Sequence, residues 1–206
     1  MLETTALACE RGGLRLFSDL GFALDAGELL RVRGPNGSGK TSLLRILAGL
    51  TRPVAGSVRW RGSAIAELAE AFGREMLFLG HAPAVKDELT VLENLEFSAS
   101  LSGLNTNKNE NEEALERLGI ARLADLPARF LSQGQRRRAA LARLALSQGV
   151  ALWLLDEPLA ALDDEAVEQV SELAAAHLAA GGMLVLTSHQ EFSIAGREVK
   201  TIELRG

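Results

Sequence analysis

The segment Gly34-Pro35-Asn36-Gly37-Ser38-Gly39-Lys40-Thr41 has the residue types and spacing of a phosphate-binding loop. Its glycines and its small serine allow successive backbone N–H groups to converge on an anion. Lys40 is long enough to reach the outer phosphates of a nucleotide, and the Thr41 hydroxyl is suited to Mg²⁺. The segment, with Ser42 directly after it, therefore predicts a site for a nucleoside triphosphate. By itself it does not identify the reaction.

Two adjacent carboxylates, Asp156 and Glu157, follow an apolar run at 151–155. A buried strand that ends in two carboxylates is costly unless a cation or a reaction uses them. Asp156 is suited to organising Mg²⁺ through its waters, and Glu157 is suited to orienting or deprotonating the water that attacks a γ-phosphate. A purely structural pair of carboxylates is the less favoured alternative.

Two histidines are predicted at the ends of buried strands. The run Met76–Leu79 leads to His81, and the run 183–188 leads to His189. Binding groups collect at the carboxyl ends of parallel strands. A neutral imidazole can donate to a phosphate oxygen, so the pattern favours a γ-phosphate contact for His189. His177, in contrast, lies in a helical pattern without a cluster of partners, and we expect it to be a packing or boundary histidine and not a ligand.

A second cluster, Leu131-Ser132-Gln133-Gly134-Gln135, precedes a predicted helix at 136–146. Small residues at a helix start leave N–H groups accessible, and the Ser132 hydroxyl adds a donor. This element could therefore hold a phosphate as well. Three arginines follow at 136–138, and we favour a solvated or lobe-packing face over a nucleic-acid patch because the surrounding chain is acidic.

Two kinds of element must position these residues. Around the loop, residues 28–33 alternate as a short strand does, and 41–50 have helical spacing, so the helix start faces the phosphates. Further strands are predicted at 2–8, 20–24 and 57–61, which indicates an antiparallel sheet in the N-terminal part. The apolar runs that end at Leu79, Asp156 and Ser188 indicate a mostly parallel sheet, and 199–204 a final edge strand.

The stretch from Thr90 to Leu131 is predicted to be helical. Thr90 and Glu93 have the spacing of a capping box. Residues 103–111, with four asparagines, indicate an exposed loop, followed by a helix at 112–118 that ends at Gly119. A later helix begins at Asp163 or Asp164 and ends at 181–182. The expected fold class is α/β, with a mostly parallel sheet, an N-terminal antiparallel β lobe and a small helical lobe.

Composition limits the functions that this chain can have. It contains 206 residues with 47% hydrophobic content, enough for one substantial core. The formal charge of −5 and the 4% aromatic content argue against a general nucleic-acid binder. We see neither a signal-peptide pattern nor a membrane-spanning run, and we expect a cytosolic protein. Cys9 is the only cysteine and is expected to be buried or incidental.

Together, the loop at 34–41, the cluster at 131–135, Asp156-Glu157-Pro158, Ala161-Leu162-Asp163 and Thr187-Ser188-His189 resemble the ATPase subunits of ABC transporters. The resemblance covers nearly the whole chain. It implies a P-loop NTPase of the ABC ATPase type that binds ATP and Mg²⁺, with Glu157, His189 and Lys40 catalytic. It also implies a homodimer, because one subunit's phosphate loop and the other subunit's Ser132, Gly134 and Gln135 enclose each ATP.

Short segments at 9–11, 17–20, 80–83 and 86–90 are similar to the haem-exporter ATPases of bacterial cytochrome c maturation, although they are less specific than the motifs above. This similarity implies a motor that drives an integral membrane partner, works peripherally at the cytoplasmic face of the inner membrane and helps to release a haem-loaded chaperone. It implies one ATPase domain over 1–206, with the core and β lobe at about 1–80 and 148–206 and the helical lobe at 83–147.

Two positions depart from the broad family. Arg11 stands where most relatives place an aromatic residue under adenine, and a guanidinium plane can stack on a base as well. His81 stands where most relatives have the glutamine that joins Mg²⁺ to the helical lobe. An imidazole is a poorer match to this hard cation than an amide oxygen.

Other functions remain open at this stage. The chain could serve another ABC exporter, or be an ABC ATPase acting on nucleic acid or ribosomes. The latter would need coiled-coil insertions, tandem copies or a basic groove, which the sequence lacks. A small-molecule kinase of the same loop class would need an acceptor pocket and lid arginines in place of the Ser132 helix. No nucleic-acid partner is expected.

Overall fold

The computed structural model describes residues 1–189, 192–194 and 196–205. The strands are β1 (Leu2–Arg11), β2 (Leu14–Leu24), β3 (Leu29–Arg33), β4 (Ala55–Trp60), β5 (Ser63–Ala64), β6 (Met76–Leu79), β7 (Leu152–Asp156), β8 (Met183–Thr187) and β9 (Val199–Glu203). The helices are α1 (Lys40–Leu47), α2 (Ile65–Arg74), α3 (Val91–Leu101), α4 (Lys108–Arg117), α5 (Gln133–Leu141), α6 (Arg143–Leu146) and α7 (Asp164–Ala179), with short 3₁₀ turns at Ala121–Leu123 and Ala128–Phe130.

The central sheet has five parallel strands in the order β6-β7-β8-β3-β9. The predicted parallel sheet and its edge strand β9 are confirmed. In the register, Asp156 of β7 pairs with Thr187 of β8. The carboxyl ends of β3, β7 and β8 therefore meet at one edge, and the residues that follow these strands lie close together there.

The N-terminal sheet is antiparallel, as predicted, with the order β2-β1-β4-β5. Its strand β2 is longer than expected, since it begins at Leu14. A helix, α2, follows this sheet although the sequence analysis assigned no element to 65–74. The signal was present, because Ile65, Leu68 and Phe72 fall at helical spacing and pack on the core beneath this sheet.

Two apolar clusters lie on the two sides of the central sheet. One, around Trp60 and α1, joins the N-terminal sheet to α1 and β3. The other, around Trp153, joins the sheet to α7 and to the helices between β6 and β7. Trp153 has no exposed surface, and Trp60 is 1% exposed. The strands of the central sheet are thus covered on both sides, as their continuous apolar runs predicted.

In the helical part, one of the predicted helix boundaries is correct and two are wrong. Thr90 forms the predicted capping box with Glu93 at the start of α3. The predicted loop at 103–111 is too long, because Asn107 and Glu110 form another capping box and α4 begins at Lys108. The helix predicted at 136–146 begins earlier, at Gln133, and is interrupted at Ala142 between α5 and α6. None of the helices described here has the length and apolar character needed to cross a membrane.

Candidate functional site

The phosphate-loop segment connects β3 to α1, as the sequence predicts. Gly39 precedes the helix with φ of 99°, a left-handed conformation that glycine adopts without strain. A Cβ added to Gly34 would lie 2.6 Å from both the Leu204 carbonyl oxygen and the Ser38 hydroxyl, so this position has no room for a side chain. The two glycines allow the loop to fold closely over the start of α1.

Lys40 is 8% exposed, and its position is fixed by the loop that it follows. Its Nζ donates to the carbonyl oxygens of Gly34, at 2.8 Å, and Pro35, at 3.3 Å. The ammonium group is thereby held over the loop. The Ser38 hydroxyl in the same loop is buried and has no hydrogen-bond partner among the described residues. Space remains above Gly37, where an added Cβ would meet nothing within 4 Å.

These observations fit a phosphate group. Backbone N–H groups at the N-terminus of α1, a buried ammonium and an unpaired hydroxyl are all donors, and a phosphate oxygen is an acceptor. Gly37, Gly39 and Lys40 line one open cleft, which leaves room for the anion. The residues present therefore match the nucleotide that the loop predicts.

Asp156 is 1% exposed and joins the loop helix to the central sheet. Its two carboxylate oxygens accept hydrogen bonds from the Thr41 hydroxyl, at 2.8 Å, and from the Thr187 hydroxyl, at 2.7 Å. The Thr187 hydroxyl in turn accepts from the backbone N–H of Glu157, at 2.8 Å. Thr187 was not predicted as a site residue. Its place opposite Asp156 follows from the pairing of β7 with β8, which the sequence alone does not reveal.

Thr41 and Asp156 also fit a magnesium ion. Mg²⁺ prefers oxygen ligands and is usually bound by one or two protein groups, substrate phosphates and several waters. A hydroxyl and a carboxylate 2.8 Å apart beside a phosphate-binding loop match that pattern. His81 lines the same cleft, and its side chain is exposed.

Glu157 lies at the end of β7 with φ of 49°, a left-handed conformation that is uncommon for a residue with a Cβ. Its Oε1 is 3.4 Å from His189 Nε2, and its Oε2 accepts from the His189 backbone N–H at 3.3 Å. The same imidazole nitrogen is 3.3 Å from Lys40 Nζ. Glu157, His189 and Lys40 therefore meet at one point, although they come from three separate segments of the chain.

An open cleft of about 650 Å³ contains this meeting point. Eleven of the residues that line it were predicted as site residues: Arg11, Asn36, Gly37, Gly39, Lys40, Thr41, Ser42, His81, Asp156, Glu157 and His189. Leu16 and Ala160 complete the lining and were not predicted. Arg11, the last residue of β1, lines this cleft as well.

Ser132, Gly134 and Gln135 lie elsewhere. They line a separate cleft of about 1010 Å³, which contains none of the residues of the phosphate loop. Ser132 caps α5: its hydroxyl accepts from the Gln135 backbone N–H at 3.2 Å, and the Gln135 side chain accepts from the Ser132 backbone N–H at 2.9 Å. Within a single chain these residues cannot contribute to the cleft that contains Lys40.

The same separate cleft contains an ion pair between Arg138 of α5 and Asp163. Asp163 caps α7 as predicted, since its side chain accepts from the Ala166 backbone N–H at 3.0 Å. This hydrogen bond and the Arg138 guanidinium hold the pKa of Asp163 below its usual value. Arg138 is thus used for packing between helices, in agreement with the preferred interpretation of the arginine triplet.

Fold and site together define a nucleotide-binding protein of the phosphate-loop class, with a parallel sheet, an antiparallel lobe and a group of helices. Residues 17–160 match the family model described as ABC transporter. The chain is similar to an ABC transporter ATP-binding protein of known structure from Pyrococcus furiosus, with a TM-score of 0.82 and 27% identity over 98% of this chain and 96% of that one. It is also similar to a bacterial ABC transporter cassette solved as a dimer, with a TM-score of 0.77, 26% identity, and coverage of 92% and 88%.

Curated relatives match over nearly their whole length. A protein of Nitrosospira multiformis named cytochrome c biogenesis ATP-binding export protein CcmA is 48% identical, over 98% of each chain. The protein of the same name from Dechloromonas aromatica is 46% identical, over 99% of this chain and all of that protein. The chain belongs to the ABC transporter family and, within it, to the group of cytochrome c biogenesis ATP-binding export proteins.

Proposed function

We propose that the chain is the ATP-hydrolysing motor subunit of a membrane ABC transporter complex that serves haem export and cytochrome c biogenesis. The observation that most supports hydrolysis is the meeting of Lys40, Glu157 and His189 in the phosphate-loop cleft. The relatives' names, which combine ATP binding, export and cytochrome c biogenesis, support the biological setting. In this setting, ATP turnover drives the release of a haem-loaded chaperone.

Each residue of the cleft has a role in this proposal. The backbone of 34–39 and the side chains of Lys40, Ser38 and Ser42 bind the phosphates. Glu157 orients the attacking water and accepts its proton, and His189 donates to the γ-phosphate. Lys40 balances the charge that develops on the phosphate oxygens. Glu157 is suited to this task because it lies at the end of a rigid buried strand, 3.4 Å from the imidazole.

Thr41 and Asp156 would hold Mg²⁺, and His81 would contact it through a bound water. The ion would supply charge stabilisation and orientation to the phosphates. Thr187 keeps the Asp156 carboxylate in place through its 2.7 Å hydrogen bond. Arg11, which lines the same cleft as Leu16, would stack on the adenine base.

We infer that two copies of the chain form the working unit. The separation of Ser132, Gly134 and Gln135 from the Lys40 cleft supports this inference, because a phosphate-binding helix start without a phosphate loop needs a partner. The dimeric state of the similar bacterial cassette supports it as well. Each ATP then lies between one subunit's loop and the other subunit's α5, and the whole of 1–206 acts as one ATPase domain. In it, the core occupies about 1–80 and 148–206, and the helical lobe 83–147.

The motor acts at the cytoplasmic face of the inner membrane, bound to integral membrane permease subunits of the cytochrome c maturation system. A pull-down in mild detergent, followed by mass spectrometry and an ATPase assay of the eluate, tests this. We expect multispanning partners and ATP hydrolysis that is not stimulated by DNA or RNA. Recovery of the chain without membrane proteins, together with stimulation by nucleic acid, would instead assign it to the soluble ABC ATPases.

A further inference from the structure

Arg137 lies in the second turn of α5 and is only 4% exposed. Its guanidinium group donates to five backbone carbonyls. Nε donates to Pro158 at 3.2 Å; Nη1 donates to Gly80 and His81, each at 3.1 Å; Nη2 donates to Asp156 at 2.8 Å and to Glu157 at 2.5 Å. A single side chain therefore holds two separate pieces of backbone.

These two pieces follow neighbouring strands of the central sheet. β6 and β7 pair in parallel up to Leu79 and Leu155. The five carbonyls that accept from Arg137 all belong to residues beyond that last β6–β7 pair, and buried carbonyls need donors. The planar fork of Arg137 supplies donors to both sides at once. A lysine could not span them in the same way, because its donors radiate from one nitrogen.

Glu157 depends on such support. Its left-handed φ of 49° is strained for a residue with a Cβ, and strained backbone persists only where the surroundings fix it. The Glu157 N–H is fixed by Thr187 at 2.8 Å, and its carbonyl by Arg137 at 2.5 Å. With both sides held, the carboxylate is directed at His189.

The charge of Arg137 is costly to bury. Burial lowers the pKa of its guanidinium, and the nearby Asp156 and Glu157 carboxylates raise it in opposition. An apolar residue of similar volume would often be as stabilising as a buried charge. Because its donors all go to the backbone around Glu157 and His81, its geometry indicates a role beyond packing.

We propose that Arg137 is a positioning residue for hydrolysis, which fixes the backbone of Glu157 and His81 and ties helix α5 to the hydrolytic end of the cleft. This inference rests on the proposed ATPase function. Because α5 presents Ser132 and Gly134 on another face, a displacement of α5 by its partner would be transmitted through Arg137 to the carboxylate of its own subunit.

The test compares Arg137→Ala and Arg137→Lys with the wild type in the full protein purified with its membrane partners. We expect kcat of Arg137→Ala to fall by about tenfold to 10²-fold, since small misplacements of a catalytic group have effects of this size. The KM for ATP should change by less than about threefold, because the phosphate loop is untouched. The kcat of Arg137→Lys should lie between those of the wild type and Arg137→Ala. Added guanidinium chloride at low millimolar concentration should restore part of the kcat of Arg137→Ala.

Arg143→Ala is the matched control. Arg143 is another arginine, at the start of α6, and burial lowers the pKa of its guanidinium as well. Its guanidinium donates to the Ser102 hydroxyl at 3.3 Å and not to the backbone that follows β6 and β7. The kcat of Arg143→Ala should be close to that of the wild type and should not change when guanidinium is added. If Arg137→Ala does not fold, Arg137→Lys decides the test through the same separation of kcat from KM.

The outcomes separate the two claims. A wild-type complex that does not hydrolyse ATP refutes the proposed function. An active wild type, with kcat unchanged in Arg137→Ala or in the folded lysine variant, refutes only the role of Arg137. A parallel loss of ATP affinity and kcat without rescue by guanidinium also overturns the proposal, since it would make Arg137 a general structural residue.

Discussion

The rings of Trp153 and His177 are stacked in parallel, with 3.9 Å between their centroids and 4° between their planes. Trp153 belongs to β7, which ends in Asp156, and His177 to α7. The His177 Nε2 lies 3.1 Å from the Met183 carbonyl oxygen, which can only accept, so Nε2 carries the hydrogen. Nδ1 is buried without a partner among the described residues. The predicted packing role of His177 is confirmed.

This arrangement makes the stability of the protein depend on pH. Burial lowers the pKa of His177, although the Met183 carbonyl raises it in part. At a pH below about 6.5, the pKa of histidine in the unfolded chain, the unfolded chain therefore binds a proton that the folded chain does not. The free energy of unfolding consequently decreases as the pH is lowered. The slope is at most about 1.4 kcal/mol per pH unit. Urea unfolding at pH 7.5 and 5.5 should show a larger loss for the wild type than for His177→Gln, whose amide does not titrate. Equal losses would contradict the assignment.

Gly182 packs against the same ring. A Cβ added there would lie 2.2 to 2.5 Å from three atoms of the imidazole, which is too close for any real contact. We expect Gly182→Ala to destabilise the fold by about 1–3 kcal/mol through overpacking. The control is Gly149→Ala, where an added Cβ would meet nothing within 4 Å. In thermal unfolding, His177→Ala in the Gly182→Ala background should recover part of the loss. Strict additivity of the two changes would show that the ring is not the cause.

The Glu157 carboxylate is proposed as the base, and an amide cannot replace it in that role. Glu157→Gln should therefore reduce phosphate release by about 10²-fold or more while ATP binding is retained. The variant should also accumulate as an ATP-bound dimer, detectable by size-exclusion chromatography. Glu116→Gln changes an exposed carboxylate on α4 and should leave turnover unchanged. Wild-type turnover in Glu157→Gln would remove this residue from the proposed role.

The composite sites can be tested with mixed dimers, since Lys40 and Ser132 line different clefts. A Lys40→Ala subunit paired with a Ser132→Arg subunit should keep one intact site, because both defects fall on the same ATP. Both changes in one subunit, paired with a wild-type subunit, should damage both sites. Phosphate release from tagged, purified heterodimers measures the difference. Equal activity of the two arrangements is not compatible with sites shared between subunits.

Much of the site was predictable because its signals are local. The phosphate loop, the strand that ends in Asp156 and the helix start at Ser132 are each recognisable within a few residues. The start of α4 was missed for a different reason. The Asn107 and Glu110 capping box was present in the sequence, but the repeated asparagines suggested a loop.

The contacts of Arg137 could not be predicted in this way. Its guanidinium reaches backbone that lies 19 to 57 positions away, and a carbonyl has no signature in the sequence. The strand order could not be derived either, since β8 lies between β7 and β3 in the sheet and not at its edge. The support that Thr187 gives to Asp156 follows from that order alone.

Cys9 is 6% exposed in β1, and its burial raises the pKa of the thiol. A buried thiol with little thiolate reacts slowly with maleimides and other alkylating reagents. The chain therefore provides a natural low-background template for site-directed labelling, without first removing its only cysteine. Cysteines introduced at exposed positions, one on each lobe, could carry fluorophores or spin labels that follow the distance between subunits through the ATP cycle.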